Sequence, residues 1–454
     1  MAKVSAPSLE VTFAGLKFRS PIGVGAVGRP FGKSVTPELH AEVLLKHVEA
    51  GAGYIVIPAG GYATQETICK IEARAKPEER RSSFPSGMRI IRAYTPVGPY
   101  GYGVEGIYTL GWAGFMDTES GKERTQDAEA VIKIVKERKP KDVRIIINTL
   151  GYGDLPDSYV DSAKRWEQLG ADLIELNLSC PGQPTMRNAV EDFQEKRFAA
   201  RWYGSVIGEL PDIVENITRE VAKAVSIPVG VKLSPETGLL RVVGLARRIR
   251  DAGAKWVQSV NCGISIAPPD IYNRGKPVWP FTDGNPFVGI AGSWLRPQSY
   301  KHVAAVARFA PGIDIAAAGG LMTPEHCVEV MMLGARQVQL CTGIIEKGRK
   351  LIRQCDSFLK KFMVEQGYRS LEEIIGLGQQ YIKYLEEVDR SVGGEVVAVI
   401  DDTKCTNCGV CTDQFCVVLY CEDGQVKVNE KNCNGCGCCM TACPVDAIKL
   451  VRVA

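Results

Sequence analysis

The chain has 454 residues, of which 45% are apolar and 24% are charged, so it has room for one large and one small domain. This composition excludes a disordered protein, and the formal net charge of +3 excludes the strongly basic surface typical of nucleic-acid binding. The N-terminus has no apolar signal core and no apolar run reaches the length of a membrane span, so we predict neither nucleic acid nor membrane as a partner.

Residues 1–390 repeat one unit, which consists of a short β-branched apolar run, a Gly- or Pro-rich turn and an amphipathic helix. The predicted strands are 21–26, 54–58, 144–149, 172–178, 228–233, 255–260, 313–318 and 336–342. Several helices end in Ala-Gly-Ala or Leu-Gly-Ala, which indicates a glycine C-cap at Gly51, Gly170, Gly253 and Gly334. Eight such units predict an α/β fold, the (β/α)8 TIM barrel, with functional side chains after the C-terminal ends of the strands.

Strand one runs into Gly23-Val24-Gly25-Ala26-Val27-Gly28, which has the G-x-G-x-x-G spacing of dinucleotide-binding loops. Such a loop requires a helix at once and an acid after the next strand, whereas here Arg29-Pro30 follows and the next strand ends at Pro58. We therefore interpret Gly25 and Ala26 as backbone that closely approaches a flat ligand.

A long insertion at 62–125 separates strands two and three. It contains two runs rich in glycine and aromatic residues, 98–103 and 108–115. Because the insertion is too apolar for a disordered linker, we predict a lid over the active site.

Polar side chains end strands four, five and six. Strand four ends in Asn177 and Ser179-Cys180, and the amide can donate and accept while the thiol can give or take a proton. Lys232 ends strand five within an apolar run, where a lysine needs an anionic partner such as a reduced flavin. Strand six leads to a second amide, in Asn261-Cys262.

Glycine turns follow strands seven and eight, as Gly319-Gly320 and Thr342-Gly343, after a loop that contains Gly292 and Arg296. Many barrels hold a phosphate through backbone N–H groups at these two turns. The pair of turns therefore predicts a phosphate-bearing ligand.

The four histidines are interpreted as structural, and so are five scattered thiols, Cys69, Cys262, Cys327, Cys341 and Cys355, although Cys262 also follows a strand end. Residues 371–391 are predicted as the last barrel helix, and Gly393-Gly394 as a hinge. The predicted domains are therefore a barrel at 1–392 and a small domain at 393–454.

Ten of the sixteen cysteines lie between Cys405 and Cys443, and eight of them form two runs at ligand spacing. In two-cluster ferredoxins each run gives three thiolates to one [4Fe–4S] cluster and its fourth to the other. This pattern predicts two ligand sets, Cys405, Cys408, Cys411 and Cys443 for cluster I, and Cys433, Cys436, Cys439 and Cys416 for cluster II.

Zinc is the alternative metal for paired Cys-x2-Cys motifs, although cysteine triplets that end in Cys-Pro fit cubane clusters better. Four residues separate Cys411 from Cys416, whereas three separate Cys439 from Cys443. Because Cys421 and Cys438 are spare thiols in the same segment, the identity of the fourth ligand of cluster II stays open. Reduced thiols and clusters of this kind indicate a cytoplasmic protein.

The strand ends together resemble the dihydroorotate dehydrogenase barrel over residues 8–375, and a barrel followed by a ferredoxin domain resembles the pyrimidine-reducing part of dihydropyrimidine dehydrogenase. The motifs that carry the resemblance are Asn177-Leu178-Ser179-Cys180-Pro181, Val231-Lys232-Leu233, Val260-Asn261, Ala318-Gly319-Gly320 and Cys341-Thr342-Gly343. The resemblance implies an FMN site in which Lys232 contacts the flavin. It also implies that the phosphate of FMN is held by the glycine turns together with Gly292 and Thr342. It also implies Cys180 as the proton-transfer group.

The resemblance further implies a substrate site formed by the side chains of Asn177, Ser179, Asn261 and Cys262, and by Tyr108 in the lid. Asn148 on strand three lies near the amide that pyrimidine enzymes use, next to the cofactor. The family usually has a lysine at the end of strand two, where this chain has Pro58. A site that lacks such a buried donor holds a polar ring less tightly, so the substrate is either a pyrimidine or another cyclic carbonyl compound.

We therefore expect an iron–sulfur flavoprotein oxidoreductase that transfers hydride and proton across a C–C bond next to a carbonyl. The expected electron partner is a separate FAD- and NAD(P)H-binding subunit or a ferredoxin, and the resemblance implies a homodimer as one state of the barrel. Two alternatives are a subunit that only relays electrons and a cluster-based redox sensor without an ordered flavin.

Overall fold

The structure, a computed structural model, describes residues 7–27, 35–74, 87–88, 106–110, 119–180, 204–266, 269–277, 287–388 and 396–452. These residues form two compact units, one that ends at Ile382 and one that begins at Lys383. The predicted domain boundary at residue 392 and most of the predicted lid lie outside the described residues.

The first unit contains a closed barrel of eight parallel strands, so the predicted (β/α)8 fold is confirmed. The strands are β1 (Ile22–Val24), β2 (Tyr54–Pro58), β3 (Arg144–Thr149), β4 (Leu173–Asn177), β5 (Val229–Lys232), β6 (Trp256–Gln258), β7 (Asp314–Ala318) and β8 (Gln337–Leu340). Each strand pairs with the next along the chain, and β8 pairs with β1 to close the ring.

Helices follow the strands and cover the barrel. They are α1 (Pro37–Glu49), α2 (Gln65–Arg74), α3 (Glu119–Arg138), α4 (Pro156–Leu169), α5 (Ser205–Gly208), α6 (Pro211–Ala224), α7 (Leu239–Asp251), α8 (Arg296–Phe309), α9 (Pro324–Met332), α10 (Thr342–Lys347) and α11 (Lys350–Gln366). The four predicted glycine caps all have positive φ, between 95° at Gly170 and 116° at Gly334, which a residue with a Cβ adopts at a cost.

The predicted helix at 371–391 is wrong. The last barrel helix is α11, and short 3-10 turns follow it at Leu371–Glu373, Leu377–Tyr381 and Leu385–Glu387. Gly367 ends α11 in the left-handed region, and Gly376 separates the first two turns with a φ of +78°. The apolar periodicity of this segment is therefore divided by glycine into pieces too short for an α-helix.

Large rings fill the lower part of the barrel. Tyr54 and Trp256 are fully buried, and a Cβ added to Gly23 or Gly230 would overlap their rings. Phe13, in the hairpin formed by Val11–Phe13 and Leu16–Phe18, packs against Trp256 with ring centroids 5.3 Å apart. The N-terminal end is therefore a packed core, and polar side chains are left for the C-terminal end.

An antiparallel sheet of four short strands accompanies the barrel loops. It contains Gly263–Ile266 after β6, then Phe287–Gly292, Gly106–Leu110 and Gly87–Met88 in that order. Two of these strands come from the predicted lid, which joins the loop after β2 to the loop after β6 through backbone hydrogen bonds.

The second unit is built from two antiparallel strand pairs. Val396–Ile400 pairs with Ile448–Arg452, and Leu419–Glu422 pairs with Gln425–Val428. A short helix, α12, spans Cys438–Ala442, and 3-10 turns span Val410–Asp413 and Glu430–Asn432. Its small core combines apolar side chains with three buried cysteines, Cys411, Cys439 and Cys443.

Candidate functional site

Three asparagines meet at the C-terminal ends of β3 and β4 and in the loop after β6. Asn177 donates from Nδ2 to Oδ1 of Asn148 over 3.1 Å, and Asn261 donates to Oδ1 of Asn177 over 2.9 Å. The amide of Asn261 also lies 3.2 Å from Oγ of Ser179, which is fully buried. The structure thus brings together four of the residues that the sequence predicted for cofactor and substrate.

Glu175 anchors this array, and the sequence analysis did not select it. Its carboxylate is fully buried and accepts from Nδ2 of Asn148 at 2.6 Å and from Nε2 of Gln339 at 3.1 Å. A carboxylate can only accept hydrogen bonds, so Nδ2 of Asn148 must donate to it and Oδ1 of Asn148 is left to accept. This fixes the amide orientation of Asn177 and, through Asn177, that of Asn261.

The protein itself supplies an anion beside Lys232, for which the sequence had suggested a reduced flavin as partner. Nζ of Lys232 lies 3.7 Å from Oε1 of Glu175, and the lysine side chain is 9% exposed. Since 3.7 Å exceeds hydrogen-bond length, the ammonium keeps donors for a further acceptor at the mouth. The signal that could have suggested this pair is a single acid on β4 and a single lysine at the end of β5, both within apolar runs.

Two thiols, Cys180 and Cys341, lie within electrostatic reach of Lys232 and of a third thiol, Cys262. Burial raises the pKa of Cys180 to about 12, with a smaller contribution from the neighbouring Cys262, while Lys232 lowers it. Burial, Cys262 and Lys232 act in the same order on Cys341, whose pKa is also raised to about 12. Cys341, interpreted from sequence as structural, therefore lies close enough to Lys232 to feel its charge, whereas Cys327 and Cys355 are buried together with sulfurs 3.5 Å apart.

Protein backbone packs closely against the glycine turns after β7 and β8, where the sequence predicts a phosphate site. A Cβ on Gly320 would lie 2.6 Å from the backbone nitrogen of Arg296, and one on Gly343 would lie 2.6 Å from the carbonyl oxygen of Leu321. Gly319 and Gly320 have positive φ, at 96° and 70°. Only residues without a Cβ fit here, which suits the close approach of backbone to a phosphate group.

Gly25 follows β1 and lies beside the end of β8. Its N–H donates to the carbonyl oxygen of Leu340 over 2.9 Å, and a Cβ on it would contact Gln339 at 3.5 Å and Cys341 at 3.6 Å. Ala26 follows it, and Thr342 and Gly343 begin α10. Oε1 of Gln339 is buried and has no partner among the described residues. An unpaired buried acceptor beside a bare glycine suits the edge of a polar ring system.

Arg296 and His326 form a polar pair behind the same turns. Nη1 of Arg296 lies 2.6 Å from Nε2 of His326, and Nδ1 of His326 accepts from the N–H of Met322 over 3.0 Å. His326 thereby caps the start of α9, in agreement with the structural role expected of the histidines.

The lid residues are described only in part. Tyr108 lies on the strand Gly106–Leu110 opposite Ile290, and Gly292 pairs with Gly106. The side chain of Tyr108 lies outside the described part of the structure. Its predicted contact with substrate therefore stays a prediction.

In the second unit, four thiols of the predicted cluster I line one apolar cavity. Cys405, Cys408, Cys411 and Cys443 surround it together with Ile400, Val426 and Ile448. Burial raises the pKa of Cys411, and the charges of Cys443, Cys405 and Cys408 raise it further, in that order. Three thiols that each raise the pKa of the buried Cys411 complete with it a group of four, the number of thiolates that one [4Fe–4S] cluster takes.

The predicted cluster II has a matching neighbourhood. Burial raises the pKa of Cys439, and the charges of Cys416 and Cys433 raise it further. Cys436 raises the pKa of the spare thiol Cys438, and Cys416 raises it further. Cys421 lies exposed on the strand Leu419–Glu422.

A TIM barrel with paired glycine turns after β7 and β8, a buried lysine and an amide array, followed by a cysteine-rich ferredoxin-type unit, defines an iron–sulfur oxidoreductase of the flavin type. The profile of the dihydroorotate dehydrogenase family matches residues 120–363, just over half of the sequence. The chain therefore belongs to the dihydroorotate dehydrogenase family. A 4Fe-4S binding domain matches residues 426–449, which contain the second cysteine run.

Characterised relatives cover most of the chain. The NAD-dependent dihydropyrimidine dehydrogenase subunit PreA of Escherichia coli is 28% identical over 361 residues, which are 76% of this chain and 80% of that protein. The dihydroorotate dehydrogenase B (NAD(+)) catalytic subunit of Methanocaldococcus jannaschii is 31% identical over 255 residues, 56% of this chain and 72% of that protein. Its counterpart from Pyrococcus abyssi is 28% identical over 374 residues, 81% of this chain and 98% of that protein.

These findings establish an oxidoreductase that acts on CH–CH groups, in a family that binds FMN, with a 4Fe-4S domain attached. The relatives are named as subunits, and their names specify NAD dependence. In the part of the chain that the structure describes, no helix has both the length and the apolar character needed to cross a membrane.

Proposed function

We propose that this chain is the catalytic subunit of a dehydrogenase that adds or removes hydrogen across a C–C bond next to the carbonyl of a small ring, with a pyrimidine base as its substrate. We further propose that it holds FMN at the barrel mouth and two [4Fe–4S] clusters in the second unit. The observation that carries the proposal is the amide array at the mouth, because three asparagines and a serine offer paired donors and acceptors to a planar imide.

When bound, FMN supplies hydride transfer to or from the β-carbon of the substrate. Asn177 and Asn261 hold the ring by hydrogen bonds, and Ser179 supports Asn261. Lys232 places a positive charge where the reduced cofactor is negative. Cys180 gives its thiol proton to the α-carbon, or takes it back in the reverse direction, which is worth roughly 10²–10⁴-fold in rate. Fixed orientation of the ring supplies much of the remaining acceleration.

The ligand sets we propose are those that the sequence pattern predicted, with Cys405, Cys408, Cys411 and Cys443 around cluster I. The fourth ligand of cluster II is Cys416 in this proposal. Cys416 lies close enough to Cys439 and Cys438 to raise the pKa of both thiols, whereas Cys421 is exposed. Each cluster passes single electrons. A chain without a dinucleotide fingerprint needs an outside donor, for which we propose an FAD- and NAD(P)H-binding subunit or a ferredoxin.

The test is anaerobic purification followed by turnover of uracil or thymine with reduced methyl viologen as donor. We expect bound FMN, about eight irons per chain, and loss of most turnover in Cys180→Ala with flavin and iron retained. Cys69→Ser is the matched control, because Cys69 is an exposed thiol on α2. Zinc in place of iron, or full turnover by the Cys180→Ala variant, would contradict the proposal.

One observation favours a second substrate class. Pro58 ends β2 directly beside Asn148 in the ladder, where the family usually offers a lysine. A proline adds neither charge nor N–H donor, which weakens a polar ring's attachment on that side. If the iron–sulfur flavoprotein is active with methyl viologen on cyclic enones but not on uracil or thymine, the substrate is a less polar cyclic carbonyl compound.

A further inference from the structure

A fully buried carboxylate lies beneath the cofactor mouth. Glu175 occupies β4 between Leu173 and Asn177, with no exposed surface. Burial of an unpaired charge is costly, so its position requires partners. The structure supplies two amide donors, at 2.6 and 3.1 Å, and the ammonium of Lys232 at 3.7 Å.

The arrangement makes Glu175 and Lys232 a unit of no net charge. Asn177 and Lys232 stand opposite each other in the β4–β5 ladder, two residue pairs above Glu175 and Gly230. The lysine is 8% exposed and remains within electrostatic reach of both Cys180 and Cys341. A group bound against Lys232 therefore experiences the charge of Glu175 as well.

Gln339 connects the carboxylate to the floor of the cofactor site. Its Nε2 donates to Oε2 of Glu175 over 3.1 Å, while its side chain is the one that a Cβ on Gly25 would contact. Glu175 is thus one side chain away from the backbone predicted to approach a flat ligand.

We propose that Glu175 is a positioning residue that holds Lys232 and lowers the reduction potential of the bound flavin. The proposal rests on the proposed FMN site. A reduced flavin is negative near N1, so a nearby ammonium stabilises it and raises the potential. A buried carboxylate beside that ammonium offsets this effect, and the interior's low dielectric enlarges both contributions.

The test is a redox titration of the FMN-loaded protein with Glu175→Gln, which keeps the shape of the side chain and removes its charge. We expect unchanged FMN content and a flavin midpoint potential that is more positive. A tenfold change in the ratio of reduced to oxidised flavin corresponds to about 30 mV for a two-electron couple, and the expected shift is at least that large. The cluster potentials, followed by electron paramagnetic resonance, serve as an internal reference that stays unchanged.

Asp314→Asn is the matched control. Asp314 is a half-buried carboxylate at the start of β7, at the opposite end of the barrel, where it accepts from the N–H of Ala14 over 2.7 Å. Its removal is expected to lower the melting temperature without moving the flavin potential. A purely structural role for Glu175 predicts the same outcome for Glu175→Gln, namely lower stability and an unchanged potential.

A second comparison covers the case in which Glu175→Gln, with Lys232 left unpaired, does not fold. The double variant Glu175→Gln/Lys232→Gln has no charge at either position. Its flavin midpoint potential is expected to exceed that of Lys232→Gln alone by at least about 30 mV, which corresponds to a tenfold change in the ratio of reduced to oxidised flavin. Equal potentials in these two proteins, or in wild type and Glu175→Gln, would overturn the role of Glu175 while leaving the flavoprotein intact. A wild-type protein without flavin would instead overturn the proposed function, and this inference with it.

Discussion

The buried thiol of Cys180 leads to a prediction about the pH dependence of the two directions of catalysis. Burial favours the neutral thiol, so it raises the pKa of Cys180 from 9.0 to about 12. At pH 8 the residue is then about four pH units below its pKa, and roughly one molecule in 10⁴ carries the thiolate. The thiol is therefore ready to donate a proton, whereas acceptance of a proton requires the rare thiolate.

The measurement is anaerobic stopped-flow of each half-reaction. With dihydrouracil as reductant, the rate of flavin reduction is expected to rise about tenfold per pH unit, and so about 100-fold between pH 7 and 9. With uracil as oxidant of the reduced enzyme, the rate is expected to stay flat over the same range. Cys69→Ser keeps both profiles. A flat profile with dihydrouracil, or the same slope in Cys180→Ala, would refute the assignment of this proton to Cys180.

Three further predictions concern the scaffold and the clusters. Gly230→Ala is expected to lower the free energy of unfolding by about 1–3 kcal/mol, because its Cβ overlaps Trp256. Gly244→Ala, at an exposed position of helix α7 where a Cβ would meet nothing within 4 Å, is expected to raise it by about 0.5–1 kcal/mol, and denaturant titration checks both. Cys421→Ser is expected to retain full iron content, whereas Cys416→Ser loses one cluster in anaerobic iron analysis; equal iron in the two variants would contradict the assigned ligand.

The barrel was predictable because its signals are local. Most of the buried strands are predominantly apolar, and the turns before β2, β4, β6 and β8 each contain a glycine that adopts positive φ, as Gly51 and Gly253 do. The segment 371–391 was mispredicted for a related reason, since its apolar spacing is helical but Gly376 divides it. Periodicity identifies the buried face of a segment and does not by itself determine whether the backbone is continuous.

The site was predictable only as far as its residues end strands. Asn177, Lys232 and Asn261 were found because barrel catalysts occupy those positions. Glu175 was not, because its meaning depends on partners 27 residues earlier on β3 and 164 residues later on β8. The same holds for Cys341, whose place beside Lys232 follows from closure of the ring between β8 and β1.

The buried pair and the strand-two proline act in the same direction on the cofactor. With Glu175 offsetting Lys232, the described strand ends contribute no net positive charge at the mouth, and Pro58 adds none from β2. A flavin in such surroundings is a stronger hydride donor than one beside an unpaired ammonium, since its anionic reduced form is less stabilised. An electron-poor double bond next to a carbonyl accepts hydride from such a donor. A flavin of lower potential requires a donor of comparably low potential, and the range of iron–sulfur clusters includes such values.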